Sequence, residues 1–235
     1  MTGALLLGLL LGMRHAMESD HIAAVATLTA NSGSLRRSLV LGAVWGLGHT
    51  TTLLAVCTTV LLADTAMPQQ LAPLLEGAVG IMLLGLGIDV LRRLRSAHIH
   101  VHAHAHAGAV LHLHVHSHSG DTASSHKREH DHAHSRGFPV RALAVGMMHG
   151  LAGSAALMVV AFAHFASPLS GLLYISLFGV GSIAGMSLLS LAIAVPLRCT
   201  SGRFEGLHQV LQCAAALCAI GIGAALIVEQ ATLLS

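Results

Sequence analysis

The sequence predicts an all-α integral membrane protein with six transmembrane helices arranged as two inverted three-helix repeats. Three observations predict it. Of 235 residues, 54% are apolar and only 9% are Asp, Glu, Lys or Arg, whereas about a quarter of an ordinary soluble domain is charged. Apolar stretches long enough to cross a bilayer, roughly 20 residues, recur six times. Eleven of the twelve basic residues fall in alternate loops between them. So few charges could not cover a soluble surface, which disfavours a soluble enzyme or a disordered tail protein. A net charge of only +2 disfavours a nucleic-acid partner.

The candidate spans are 2–30, 38–63, 71–91, 139–165, 168–196 and 206–230. The first is interrupted by Arg14, His15, Glu18, Asp20 and His21, and its apolar pattern resumes at Ile22. It has no basic leading region, so it reads as a mature span rather than a cleaved signal. Cys57, Cys199, Cys213 and Cys218 form no CxxC pair and read as small packing residues. With six spans, loops 1–2, 3–4 and 5–6 share one side. That side carries Arg36, Arg37, Arg92, Arg93, Arg95, Lys127, Arg128, Arg136, Arg141, Arg198 and Arg203. The positive-inside rule places it in the cytoplasm and both termini outside, in an inner, cytoplasmic membrane.

The halves resemble each other. Gly12-Met13-Arg14-His15 answers Gly146-Met147-Met148-His149 at an offset of 134, and Trp45-Gly46-Leu47-Gly48 answers Phe178-Gly179-Val180-Gly181 at 133. Gly85-Leu86-Gly87 answers Gly221-Ile222-Gly223 at 136. The expected organisation is a first repeat over 1–91, a His-rich loop over 92–138 expected to be disordered, and a second repeat over 139–235. Three spans per half make equivalent spans cross in opposite directions, an arrangement common in secondary transporters with a midplane site.

Ionisable side chains near the bilayer centre cost several kcal/mol and mark function by default. Residues 14–22, R-H-A-M-E-S-D-H-I, begin roughly 18 Å into the first span at 1.5 Å per residue, near the middle of a core about 30 Å thick. On a regular helix His15, Glu18 and His21 form one ridge, at about 0°, −60° and −120°. Asp20 then lies about 100° away from His21, placed to support a ligand rather than to be one. If the helix unwinds there, all four groups can converge. Imidazole with carboxylate suits divalent transition metals, and an acid commonly holds the second nitrogen of a ligand histidine. Arg14 could neutralise Glu18 four residues on. The competing reading is a buried polar network that only locks helices together. His49, in G-L-G-H-T-T-T, is a third candidate ligand, and His149, in G-M-M-H-G-L-A-G, a further one; both also fit helix packing among small residues. Met13 and Met17 read as gap-fillers, while His164, His208, Glu76, Asp89 and Glu205 lie near span ends.

Residues 98–134 hold 13 of the 19 histidines. His98, His100, His102, His104 and His106, then His112, His114, His116 and His118, recur as H-x-H. Alternation puts them on one edge of an extended chain, where neutral imidazoles can share an ion. A looser group follows at His126, His130, His132 and His134. This cytoplasmic loop reads as a multisite metal buffer outside the translocation path.

These motifs resemble a known family. H-A-M-E-S-D-H-I (15–22) resembles the H-x4-D-H signature of nickel/cobalt transporters, and G-L-G-H-T-T-T (46–52) resembles their second histidine motif. H-G-L-A-G-S-A-A (149–156) is similar to the six-span, urease-associated nickel permease branch. The resemblance implies transport of Ni²⁺ or Co²⁺, with His15, Asp20, His21 and His49 as metal-binding residues. Family members usually carry Asp where this chain has Glu18, and commonly Ala where it has Ser19.

The expected function is therefore a secondary carrier, not an enzyme, with Ni²⁺ (Co²⁺ next) as transported substrate and no resident cofactor. The expected direction is uptake, with cytoplasmic metallochaperones of a nickel enzyme as partners. No G-x4-G-K-[ST] sequence is present for ATP. The rivals are an efflux permease, loaded from the same loop, and a non-transporting membrane protein that delivers metal.

Overall fold

A computed structural model of the chain describes residues 2–30, 32, 34–63, 71–96, 100–105, 111–116, 139–164, 167–200 and 205–234. Seven helices are described: α1 (Thr2–His15), α2 (Ser19–Thr29), α3 (Leu35–Ala63), α4 (Leu71–Ser96), α5 (Val140–His164), α6 (Pro168–Thr200) and α7 (Glu205–Leu234). Among the described residues, α3, α4, α6 and α7 are long and apolar enough to cross a bilayer, and Leu6–His15 and Val140–Ala152 are shorter apolar helical stretches. Large apolar side chains face outward along the bundle, including Leu10, Ile81, Leu188 and Val228. Such a belt is unfavourable in water and ordinary in lipid. The protein is an all-α integral membrane protein.

The first span is two helices, not one. After His15 the chain makes two tight turns, Met17 N–H to the Arg14 carbonyl (2.9 Å) and Glu18 N–H to the His15 carbonyl (3.0 Å). Glu18 is then extended, at φ −67° and ψ 152°, before α2 begins. The charges suit the break: Arg14 and His15 occupy the last turn of α1 and Asp20 the first turn of α2, the ends each sign favours. α3 is capped by Ser34, whose hydroxyl accepts the Arg37 N–H at 3.2 Å.

Part of the loop is described. Within 92–138, β1 (His100–Ala105) and β2 (Leu111–His116) pair antiparallel. The register opposes His100 to His116, His102 to His114 and His104 to His112. The same period-two alternation that suits an extended edge also suits a ladder. His98, His106, His118, His126, His130, His132 and His134 lie outside the described residues. At the base of the loop Asp89 on α4 accepts from Arg93 (3.2 Å) and from Arg141 on α5 (2.7 Å), tying its two ends together.

Packing is reciprocal between the segments matched in the sequence. α3 packs on α6, α4 on α7, α1 on α6 and α5 on α3. Gly12 on α1 lies against the Phe178 carbonyl on α6, and Gly146 on α5 against the Trp45 carbonyl on α3. Gly80 and Gly223 each face the other's carbonyl. The offsets that equate Gly12 with Gly146 and Trp45 with Phe178 thus equate the contacts as well, as a pseudo-two-fold relation requires. A Cβ at Gly146 would overlap backbone, which a rotamer change cannot relieve. Gly146→Ala is expected to cost about 1–3 kcal/mol, read as a lower melting temperature in detergent; an unchanged one would contradict this packing.

Candidate metal centre

Three elements supply the site. The break between α1 and α2 presents His15, Glu18, Asp20 and His21; α3 adds His49 and α5 adds His149. His49 is carried into the core because α3 packs between α5 and α6. On that helix Thr51 and Thr52 return their hydroxyls to the Leu47 and Gly48 carbonyls (2.8 and 3.0 Å), while Thr50 crosses to the Gly179 carbonyl on α6 (3.1 Å). The backbone of Gly150 on α5 packs directly against that of His49, so His149 arrives beside it. The small-residue face seen in the sequence and the approach of the two imidazoles are one feature.

The four imidazoles form a contiguous group. Ring centroids lie 4.5 Å apart for His15 and His21, 5.2 Å for His15 and His49, 5.5 Å for His21 and His49, and 4.6 Å for His21 and His149. His21, His49 and His149 are buried. Trp45 closes the group from α3, its ring 5.3 Å from His21 and 5.5 Å from His149.

The carboxylates decide which nitrogens are free. Asp20 Oδ1 lies 3.1 Å from His21 Nδ1, and Oδ2 lies 3.1 Å from His149 Nε2. An ionised carboxylate only accepts, so both imidazoles donate to it. That assigns the remaining lone pairs to His21 Nε2 and His149 Nδ1. Glu18 Oε1, 3.0 Å from His15 Nδ1, does the same for His15 Nε2. These nitrogens, together with both of His49, are buried without a hydrogen-bond partner among the described residues. Burying a polar group unpaired costs on the order of 1–3 kcal/mol, so several at one place call for a ligand.

Two triads fit one. Ligand atoms from His15, His21 and His49 lie within 4.8 Å of one another, as do those from Asp20, His21 and His149. A tetrahedral ion with bonds of about 2.0–2.1 Å to nitrogen needs only a modest closure of the first set. A cavity of about 130 Å³ opens beside the group, lined by His15, Asp20, His21 and His149 together with Glu76, Val79, Ala152 and Leu226.

Of the residues singled out in the sequence, His15, His21, His49, His149 and Asp20 come together. Because the helix is broken, Asp20 is not turned away as a regular helix would turn it. Glu18 does not join the cluster; its half-exposed carboxylate holds His15 from outside, and Arg14 is not its partner. Met17 is 66% exposed and points away. His208, near a span end, lies 3.0 Å from the Leu197 carbonyl and 3.0 Å from Gln212, which donates to the Ala30 carbonyl at 2.8 Å. Glu76, near a span end in the sequence, reaches the site as a lining residue of the cavity.

No protein-family model matches the chain. No solved structure matches it either. The chain is 37% identical to the urease accessory protein UreH of Bacillus sp. (strain TB-90) over 193 residues, which cover 82% of this chain and 76% of that protein. At that identity and coverage, the chain belongs to the family of the urease accessory protein UreH.

Proposed function

We propose that the protein is a secondary carrier that brings Ni²⁺, and next to it Co²⁺, into the cell across the cytoplasmic membrane. The observation that carries this reading is the set of unpartnered imidazole nitrogens of His15, His21, His49 and His149, gathered at the break in the first span. Imidazole suits Ni, Co and Zn. The relative's name supplies the choice among them, since it links that protein to urease, a nickel enzyme. On this reading the hydrated ion sheds water into His15, His21 and His49. Asp20 orients His21 and His149 together, and Glu18 orients His15.

The reciprocal packing supports two repeats, 1–91 and 139–235, that rock about the site and open it to each side in turn. An inside-negative potential favours inward movement by about 2.3 kcal/mol per charge per 100 mV, twice that for a divalent ion. With the arginine-bearing loops in the cytoplasm, the histidines of 98–134, among them those paired between β1 and β2, receive the ion after release. Cytoplasmic metallochaperones of the nickel enzyme would take it from there.

Radioactive nickel in cells expressing the protein tests the direction. Cellular nickel is expected to rise above that of cells lacking it. A fall would establish efflux, and no change in either direction would leave metal delivery without transport.

A further inference from the structure

Glu76 lies near the start of α4, at the end opposite Arg92, Arg93 and Arg95. It is half-buried, and among the described residues no cation pairs with it. The charges that act on it are of its own sign: Glu229 near the end of α7, and Asp20 at the metal cluster. An acid inside an apolar helix is costly, and two more acids within electrostatic reach increase the cost. Nothing in the packing of α4 on α7 requires it, since Gly80 and Gly223 already make that contact close.

Glu76 does share the cavity of the cluster. With His21 and His149 it lines one cavity of about 130 Å³. Both imidazoles are 2% exposed, and both keep an unpartnered nitrogen, Nε2 and Nδ1 respectively. Val79 and Leu226 supply apolar walls. A cleft lined by charge of one sign with low-dielectric walls concentrates counter-ions. This one carries the Glu76 carboxylate apart from the imidazoles, whose nearest acid, Asp20, is already engaged by His21 and His149, so Glu76 is the acid left to attract a hydrated divalent cation before nitrogen ligands dehydrate it.

We propose that Glu76 is a capture site for the hydrated divalent cation, holding it at the mouth of the cavity before it passes to His21 and His149. The inference rests on the carrier reading above and adds a residue to it. Under the orientation proposed there, this mouth faces outward. Glu229, exposed on α7, extends the negative field.

Initial rates of nickel uptake across a concentration series, at low and high ionic strength, test it. Glu76→Gln is expected to raise KM roughly tenfold, the lower bound for electrostatic focusing, while the maximal rate stays near that of the unaltered protein. The variant should also lose most of the salt dependence of KM. Glu76→Asp should recover both, which a packing role would not produce. An E76Q protein with unaltered KM and salt dependence would overturn the proposal, as would a drop in maximal rate alone that Asp fails to rescue. Should E76Q not reach the membrane, E76D and the ionic-strength response of the unaltered protein carry the test: a KM insensitive to salt overturns the proposal. His21→Ala, measured beside them, separates the two claims. Normal uptake in H21A defeats the carrier site itself, whereas a dead H21A with an unaffected E76Q defeats only the role of Glu76.

Discussion

His21→Ala is expected to abolish the proposed nickel uptake while the protein remains in the membrane. His21 is the one imidazole common to both triads, so its loss breaks each of them. Removing a residue that merely orients a ligand costs roughly 10–100-fold in affinity or activity; removing the shared ligand should exceed 100-fold. The substitution also empties a fully buried position, so membrane abundance must be measured with the flux. Uptake that stays within about threefold of normal would contradict the site, because a nitrogen worth so little would not lie on the ion's path.

The second large effect is expected at Asp20, through the protons it places. Asp20→Asn keeps the shape, but one oxygen becomes an NH₂ group, which donates. The amide cannot accept from both His21 Nδ1 and His149 Nε2. One of the two rings must change tautomer, and its free nitrogen then carries a proton where the ion needs a lone pair. Metal affinity should fall by roughly 10–100-fold, read as a raised KM for uptake with normal membrane abundance. An unchanged KM would contradict this role of Asp20, because the amide keeps neither the charge nor the second acceptor.

Much of this fold was legible in the chain, and particular residues show why. The apolar spans follow from composition, because a bilayer demands length and hydropathy and little else. The equivalence of Gly12 and Gly146 was readable because a close approach of backbones admits only glycine there, and each lies against a matching carbonyl, of Phe178 or Trp45. The motif at 14–22 announced a site but left its geometry open: a regular helix and a broken one place Asp20 on different sides of His21. Tight turns at Met17 and Glu18 settle the shape, and the helices they join pack on α6, α7 and α4, contacts that no local spacing encodes.

Partner choice was less readable. Arg14 was the obvious neighbour for Glu18 by helical spacing, yet the break removes the register that would join them, and His15 takes the carboxylate at 3.0 Å. His149 had no local feature to separate a ligand from a packing residue; its meaning comes from Asp20, 129 residues away in sequence. Glu76 needed the cavity for the same reason. In the loop, the H-x-H alternation fits both an isolated extended chain and a ladder, and the cross-strand register of β1 and β2 is a long-range choice that alternation alone does not make.

The central claim is that a divalent ion crosses the membrane through the imidazoles at the break in the first span. Purified protein reconstituted into nickel-free vesicles, with an inside-negative potential imposed and radioactive nickel outside, tests this most directly. Accumulation that depends on protein and on the imposed potential is expected, and none with the H21A protein reconstituted at equal density. Nickel that binds the unaltered protein without entering the vesicles, or that enters equally well with H21A, would contradict it.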